Sequence, residues 1–374
     1  LISIGLSTLL LAGLAACSSS TPSESETAAP SAAAEKNELV MALAVDPDGL
    51  DPQRTTAAST FQITNNIYEP LLTVTDQGEL TGALADSWEV SEDGLTLTFT
   101  LRENAQFSNG NPCDAEAVIA SFQRLKAEDS PRAADYANIV SMEAADERTV
   151  VFTTETLDVA ALSSFAYPWA AIVDVTVADT LTNQPVGTGP YTLNQWIPQQ
   201  SLSLIRNETY PGTVNIDNIE FRMMPDAASQ ISAFQNGELD IISVSGDQVA
   251  AFENNPDYNV IQAPANSLQL MAMNLDNEAL ADVRVRQAIN YAVDKDALIE
   301  TVWWGYGQKI GSHYPTVLKE YVDHSEDYTY DPDRARELLN EAGYGDGLTL
   351  QMYLPQNYTA YVNAGQVIAD QLEQ

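Results

Sequence analysis

From Leu95 to Leu101 the side chains alternate: Leu95, Leu97, Phe99 and Leu101 are apolar, while Thr96, Thr98 and Thr100 are polar. A period of two over seven residues demands an extended strand with one face on a core and the other toward water. Immediately upstream, Trp88–Val90 reads as a second strand, and Ser91-Glu92-Asp93-Gly94 supplies the turn chemistry of a hairpin. An all-helical fold is thereby excluded. Helical periodicity elsewhere excludes an all-β one. Asp114 is placed to N-cap a helix to about Ala127, whose Val118, Ile119, Phe122 and Leu125 form one apolar stripe.

The remaining elements follow the same logic. Strands are expected at Leu39–Val45, Thr149–Thr153, Tyr191–Ile197, Leu202–Arg206, Ile219–Met224, Leu239–Ile242 and Leu268–Asn274. Helices are expected at Ser59–Tyr68, from Asp226 to Gly237, over Asp282–Val293 and Asp296–Trp304, from Asp331 to Gly343, and over Ala364–Gln374. Strands and helices mix without strict βαβ alternation, which points to α/β lobes carrying an extra antiparallel sheet.

Two segments precede this body. Leu1–Ala16 is an apolar run rich in small residues, too short for a stable membrane span and typical of a secretory signal. Leu14-Ala15-Ala16-Cys17 resembles the bacterial lipoprotein box, so Cys17 is the expected lipidation site, and the signal peptide over 1–17 is expected to start upstream of Leu1. The stretch 18–38 has no aromatic and almost no large aliphatic residue, and reads as a flexible tether.

Charge narrows the function. With 53 Asp+Glu against 16 Lys+Arg the net charge is −37, and the five lysines are dispersed. Binding of nucleic acid through a basic face is excluded on that balance. Two Cys, one of them in the lipoprotein box, cannot build a disulfide scaffold. Cys113 beside Asp114 reads as a buried small hydrophobe. His313 and His324 match no helical or finger spacing, so no metal site is assigned. No serine elbow or convincing triad supports an enzyme, and a secreted hydrolase is the least favoured reading. No cofactor is implied.

Seven stretches in order resemble a known family. They are Leu50-Asp51-Pro52; Ile67-Tyr68-Glu69-Pro70-Leu71; Leu84–Val118; Gly187-Thr188-Gly189-Pro190-Tyr191; Asp217–Ile241; Asp282–Glu300; and Tyr330–Tyr344. Together they are similar to the family 5 extracellular solute-binding proteins, the dipeptide, oligopeptide and nickel receptors of ABC importers. The resemblance implies a two-lobed α/β fold of periplasmic-binding-protein type that closes on its ligand by hinge motion. Lobe I is expected over 39–267 with an extra subdomain at about 78–185. Lobe II is expected over 268–374 and incomplete, so a chain of 39–374 is expected to aggregate or to bind its ligand poorly.

The resemblance further implies a non-enzymatic, monomeric, extracytoplasmic lipoprotein that hands a small solute to an ABC permease. Di- or oligopeptide is the leading ligand, ahead of oligosaccharide and of nickel or a metal chelate. A surface signalling or adhesion lipoprotein of the same fold is the alternative. The expected ligand-facing residues are Asp46, Asp48, Tyr136, Trp169 and Tyr314, drawn from the loop after the first strand and from aromatics beside turns.

Overall fold

The computed structural model describes residues 37–158, 160–318, 321–356 and 359–374. The signal segment, Cys17 and most of the tether lie outside those residues. The fold takes hold at Asn37, just inside the expected tether, because its carbonyl accepts the Asp217 and Asn218 amides (3.0 and 3.1 Å).

The strands in chain order are β1 Glu38–Leu43, β2 Leu72–Val74, β3 Leu80–Gly82, β4 Ala85–Val90, β5 Thr96–Leu101, β6 Ile139–Ala144, β7 Thr149–Thr154, β8 Tyr191–Ile197, β9 Ser201–Arg206 and β10 Asn218–Met223. They form a four-stranded sheet β1-β10-β9-β8, a β2-β3 ribbon, and a second four-stranded sheet β4-β5-β7-β6. The predicted hairpin is present: Trp88 faces Phe99 and Val90 faces Leu97 across β4 and β5. β5 then pairs with β7, and its Leu97, Phe99 and Leu101 are buried.

The helix Ala115–Leu125 covers that sheet. Asp114 caps it, accepting the Ala117 amide at 2.9 Å. Beneath it Phe99, Phe122, Phe152 and Phe165 pack ring against ring at 4.8–5.7 Å. This core draws its buried residues from 71–172 alone. A second core lies under the first sheet, joining Leu43, Ile63, Ile67, Leu202, Leu204 and Phe221 to Val173 and Leu181.

β1 and β10 run parallel side by side, although β2–β9 all lie between them in sequence. The stretch Gly187–Tyr191 locks the two parts together: the Gly189 amide donates to the Ile67 carbonyl (2.9 Å), and the Ser108 amide to that of Gly187. A Cβ on Gly187 would stand 2.2 Å from the Ile67 carbonyl oxygen. Gly187→Ala is therefore expected to cost about 1–3 kcal/mol, since backbone must move to admit the methyl group, and denaturant unfolding will read it.

Downstream, helices Val283–Ala292 and Pro332–Glu341 pack through Ala288, Ala335 and Leu338. Lys295–Trp303 meets Thr359–Leu372, where the Gln371 side chain accepts the Asp294 amide at 3.0 Å. Asp226, Asp282 and Asp331 cap helices where helix starts are expected, while the helix expected from Asp296 begins at Lys295 with Asp294 as its cap.

Two expected strands are corrected. Leu239–Ile242 makes only a single parallel bridge, Met41 to Ile241. Leu268–Asn274 forms no strand: its one backbone hydrogen bond among the described residues is a turn contact, the Asn277 amide to the Asn274 carbonyl at 3.2 Å. A strand needs a partner as well as a composition. The helix Gly246–Glu253, with Phe252 against Phe234 at 5.9 Å, was not foreseen. Among the described residues no helix is long and apolar enough to cross a membrane.

Candidate ligand-binding site

β1 ends at Leu43, and Ala44 and Val45 beyond it are exposed. Neither has a backbone hydrogen-bond partner among the described residues. A cleft of about 510 Å³ opens beside them, lined by Met41, Ala44, Gln62, Asn66, Ile241 and Ser243 among others. Apolar walls with a few amide side chains are the usual make-up of a small-molecule site.

The short helix Ala58–Thr64 organises this region. Thr60 donates its hydroxyl to Asp48 Oδ1 at 2.7 Å, and Thr55 donates to the same carboxylate at 2.7 Å. Asp48 thus ties the loop after β1 to the helix start. Asp46 holds the other end of the loop, accepting the Trp196 indole N–H (3.3 Å) and the Gln199 amide (2.9 Å). Both aspartates have committed carboxylates, and neither is among the residues that line the cleft.

On the next residue of that helix, Phe61 meets Trp169, with ring centroids 6.0 Å apart. Trp169 is half-buried and lies against Tyr167 at 4.6 Å, and the Arg132 guanidinium sits over its ring at 4.0 Å. Tyr136 is core: 1% exposed, packed edge-on to Phe122, its hydroxyl donating to the Ser164 carbonyl at 2.8 Å. Burial pushes its phenol pKa up, with Asp135 adding to the rise. The structure therefore brings Asp48 and Trp169 together around one helix, with Tyr136 among the buried rings nearby. Tyr314 stands apart. It is exposed and stacked on His313, with no hydrogen bond or ring contact to the other four among the described residues.

Sequence reasoning passed over Phe61, which reads as an ordinary member of an apolar helix face, and Arg132, for which no local pattern exists. Gln62 and Asn66 likewise carry no signal before the cleft is seen.

Other polar centres are structural. His324 pairs with Asp327 at 2.8 Å. Among the described residues no three His, Cys, Asp or Glu side chains converge as metal ligands do. Cys113 is 2% exposed, and burial pushes its thiol pKa up, which leaves it an inert apolar filler as expected. Asp174 is raised by burial, but hydrogen bonds from Thr176, Asn109 and Asn111 outweigh that and hold it below the usual carboxylate range.

Residues 79–374 match the family model described as bacterial extracellular solute-binding proteins, family 5 Middle. The chain belongs to that family. Heme-binding protein A of Haemophilus influenzae is 29% identical over 94% of this chain and 70% of its own length. The dipeptide-binding protein of Escherichia coli is 29% identical over 82% of this chain and 63% of its own. Among solved structures, the ABC transporter substrate-binding protein CtaP of Listeria monocytogenes superposes with a TM-score of 0.80 at 25% identity, covering 90% of this chain and 72% of that one. The fold is the mixed α/β periplasmic-binding-protein fold of family 5 receptors. The chain is accordingly an extracytoplasmic solute receptor of an ABC importer, and not an enzyme.

Proposed function

We propose that this receptor captures a di- or oligopeptide and delivers it to its permease. The observation that carries this is the unpaired backbone of Ala44–Val45 at the mouth of the cleft. An extended peptide satisfies such an edge with its own amides and carbonyls, as in strand addition. Lobe closure around the peptide buries it, and the closed form docks on the membrane partner. Cys17, outside the described residues, is the proposed lipid anchor, holding a monomeric body outside the membrane through the 18–36 tether.

A thermal-shift panel tests the ligand. A peptide at about 100 times its Kd adds about 2.7 kcal/mol to stability, a shift of a few degrees. Di- to pentapeptides are expected to give it. A shift with neutral oligosaccharides alone overturns the peptide reading in favour of sugar stacking on Trp169 and Tyr167, the second reading. Loss of uptake of the bound solute on gene deletion separates a receptor for import from a surface signalling lipoprotein. The anchor has its own check: cells fed labelled palmitate should label the protein, and Cys17→Ala should abolish the label.

A further inference from the structure

Positive charge is scarce in this chain and is offset where it occurs. Ten of the eleven arginines stand within 4.0 Å of a carboxylate. Lys309 bridges two, Asp296 at 3.1 Å and Glu326 at 3.0 Å. Against 16 Lys+Arg there are 53 Asp+Glu, so a net charge of −37 is left unopposed. A net charge of that size surrounds the body with a potential of one sign, which acts on a charged solute before any contact is made.

The cleft has no charge of its own to counter that field. Every side chain lining it is uncharged, from the apolar Met41, Phe221 and Ile241 to the polar Gln62, Asn66 and Ser243. Walls of low dielectric constant focus field lines instead of screening them. Asp46 and Asp48 follow Ala44 of the lining within four residues. The groups they accept from are two hydroxyls, an indole and a backbone amide, and none of these is a cation. The charge beside the cleft thus has the same sign as the charge of the whole.

We infer that the receptor selects solutes of net positive charge by their rate of capture. Its field draws a cation toward the cleft and turns an anion away, and no carboxylate has to touch the solute. This inference rests on reading the chain as a solute receptor and names the charge class that it favours. Within the peptide reading that class is the basic oligopeptide. A polyamine carries the same charge without a peptide backbone, and the test separates the two.

Stopped-flow tryptophan fluorescence on the full chain gives association and dissociation rates for Ala-Lys-Ala, Ala-Gln-Ala, Ala-Glu-Ala and spermidine. The series runs from about 10 mM to about 1 M NaCl, Debye lengths of about 30 to 3 Å, at points where circular dichroism shows the chain folded. At the lowest salt the lysine peptide is expected to associate about 10-fold faster than the glutamine peptide, and the glutamate peptide about 10-fold slower. At the highest salt the three rates should converge to within about 2-fold. Dissociation should hardly respond to salt, because steering acts before contact.

Equal association of the three peptides at the lowest salt overturns the charge assignment and leaves the peptide reading standing. So does a preference for the lysine peptide that persists at the highest salt or lies wholly in dissociation, because a contact would then carry it. Spermidine captured with the expected salt dependence, and no peptide bound, sustains the charge assignment and overturns the peptide reading. No cation bound with a Kd below about 1 mM at any salt overturns the assignment outright.

Discussion

Arg102→Met should cost about 3–5 kcal/mol of unfolding free energy, the cost of stranding a buried charge. Arg102 grips both oxygens of Glu69, at 2.7 and 2.5 Å, and its fork also reaches the Ala83 and Thr188 carbonyls at 3.3 Å. Tyr210 closes the site, with its hydroxyl 3.4 Å from Glu69 and its ring 5.5 Å from the guanidinium. The two side chains are 14% and 11% exposed, so removing one strands the other as a buried charge. The partners come from different cores. Arg102 follows β5 of the second four-stranded sheet, whereas Glu69 and Thr188 belong to the segments that lock the first sheet to it. Urea unfolding of Arg102→Met, Glu69→Gln and the double variant closes a cycle. The double variant is expected to recover part of the loss, because no lone charge remains. An additive double variant would mean that the pair does not act as a unit.

Phe122→Ala should cost about as much, 3–5 kcal/mol, for an unrelated reason. Phe122 is 1% exposed and touches three rings at once: Phe152 at 5.0 Å, Phe165 at 5.2 Å and Tyr136 at 5.7 Å. Truncation removes its transfer free energy and leaves a cavity walled by stiff rings that cannot close over it. Phe122→Leu refills most of the space and should recover more than half of the loss. The measurement is the urea midpoint at constant m-value. A loss below about 1 kcal/mol would show that the helix Ala115–Leu125 re-seats on the sheet.

Much of this was readable from residues alone, and particular elements show why. The hairpin at β4 and β5 and the helix after Asp114 carry their instructions locally: a turn, a period, a cap. The same holds for Asp226, Asp282 and Asp331, each placed at a helix start where a carboxylate satisfies free amides. The failures share a cause as well. Leu268–Asn274 has strand composition but no strand beside it, and β6 was overlooked although β7 pairs along its length.

The candidate site was partly legible. Asp46 and Asp48 lie in the loop after β1 and Trp169 meets the helix Ala58–Thr64, but none of them lines the cleft, and the aspartates hold threonines, an indole and a backbone amide. Tyr136 looked amphipathic and turned out to be core. Side-chain type tells what a residue is able to bind, and only its neighbours decide whether that capacity is already spent.

By itself, then, the sequence determined the α/β class, the caps, the hairpin, the exclusion of nucleic acid by charge and the family, because each depends on short-range pattern or on totals. The tertiary structure alone decided that β1 lies beside β10, that Glu69 meets Arg102, and that Arg132 rests on Trp169. Those contacts join residues far apart in the chain, and they exist only after the core has settled the entropy of bringing them together.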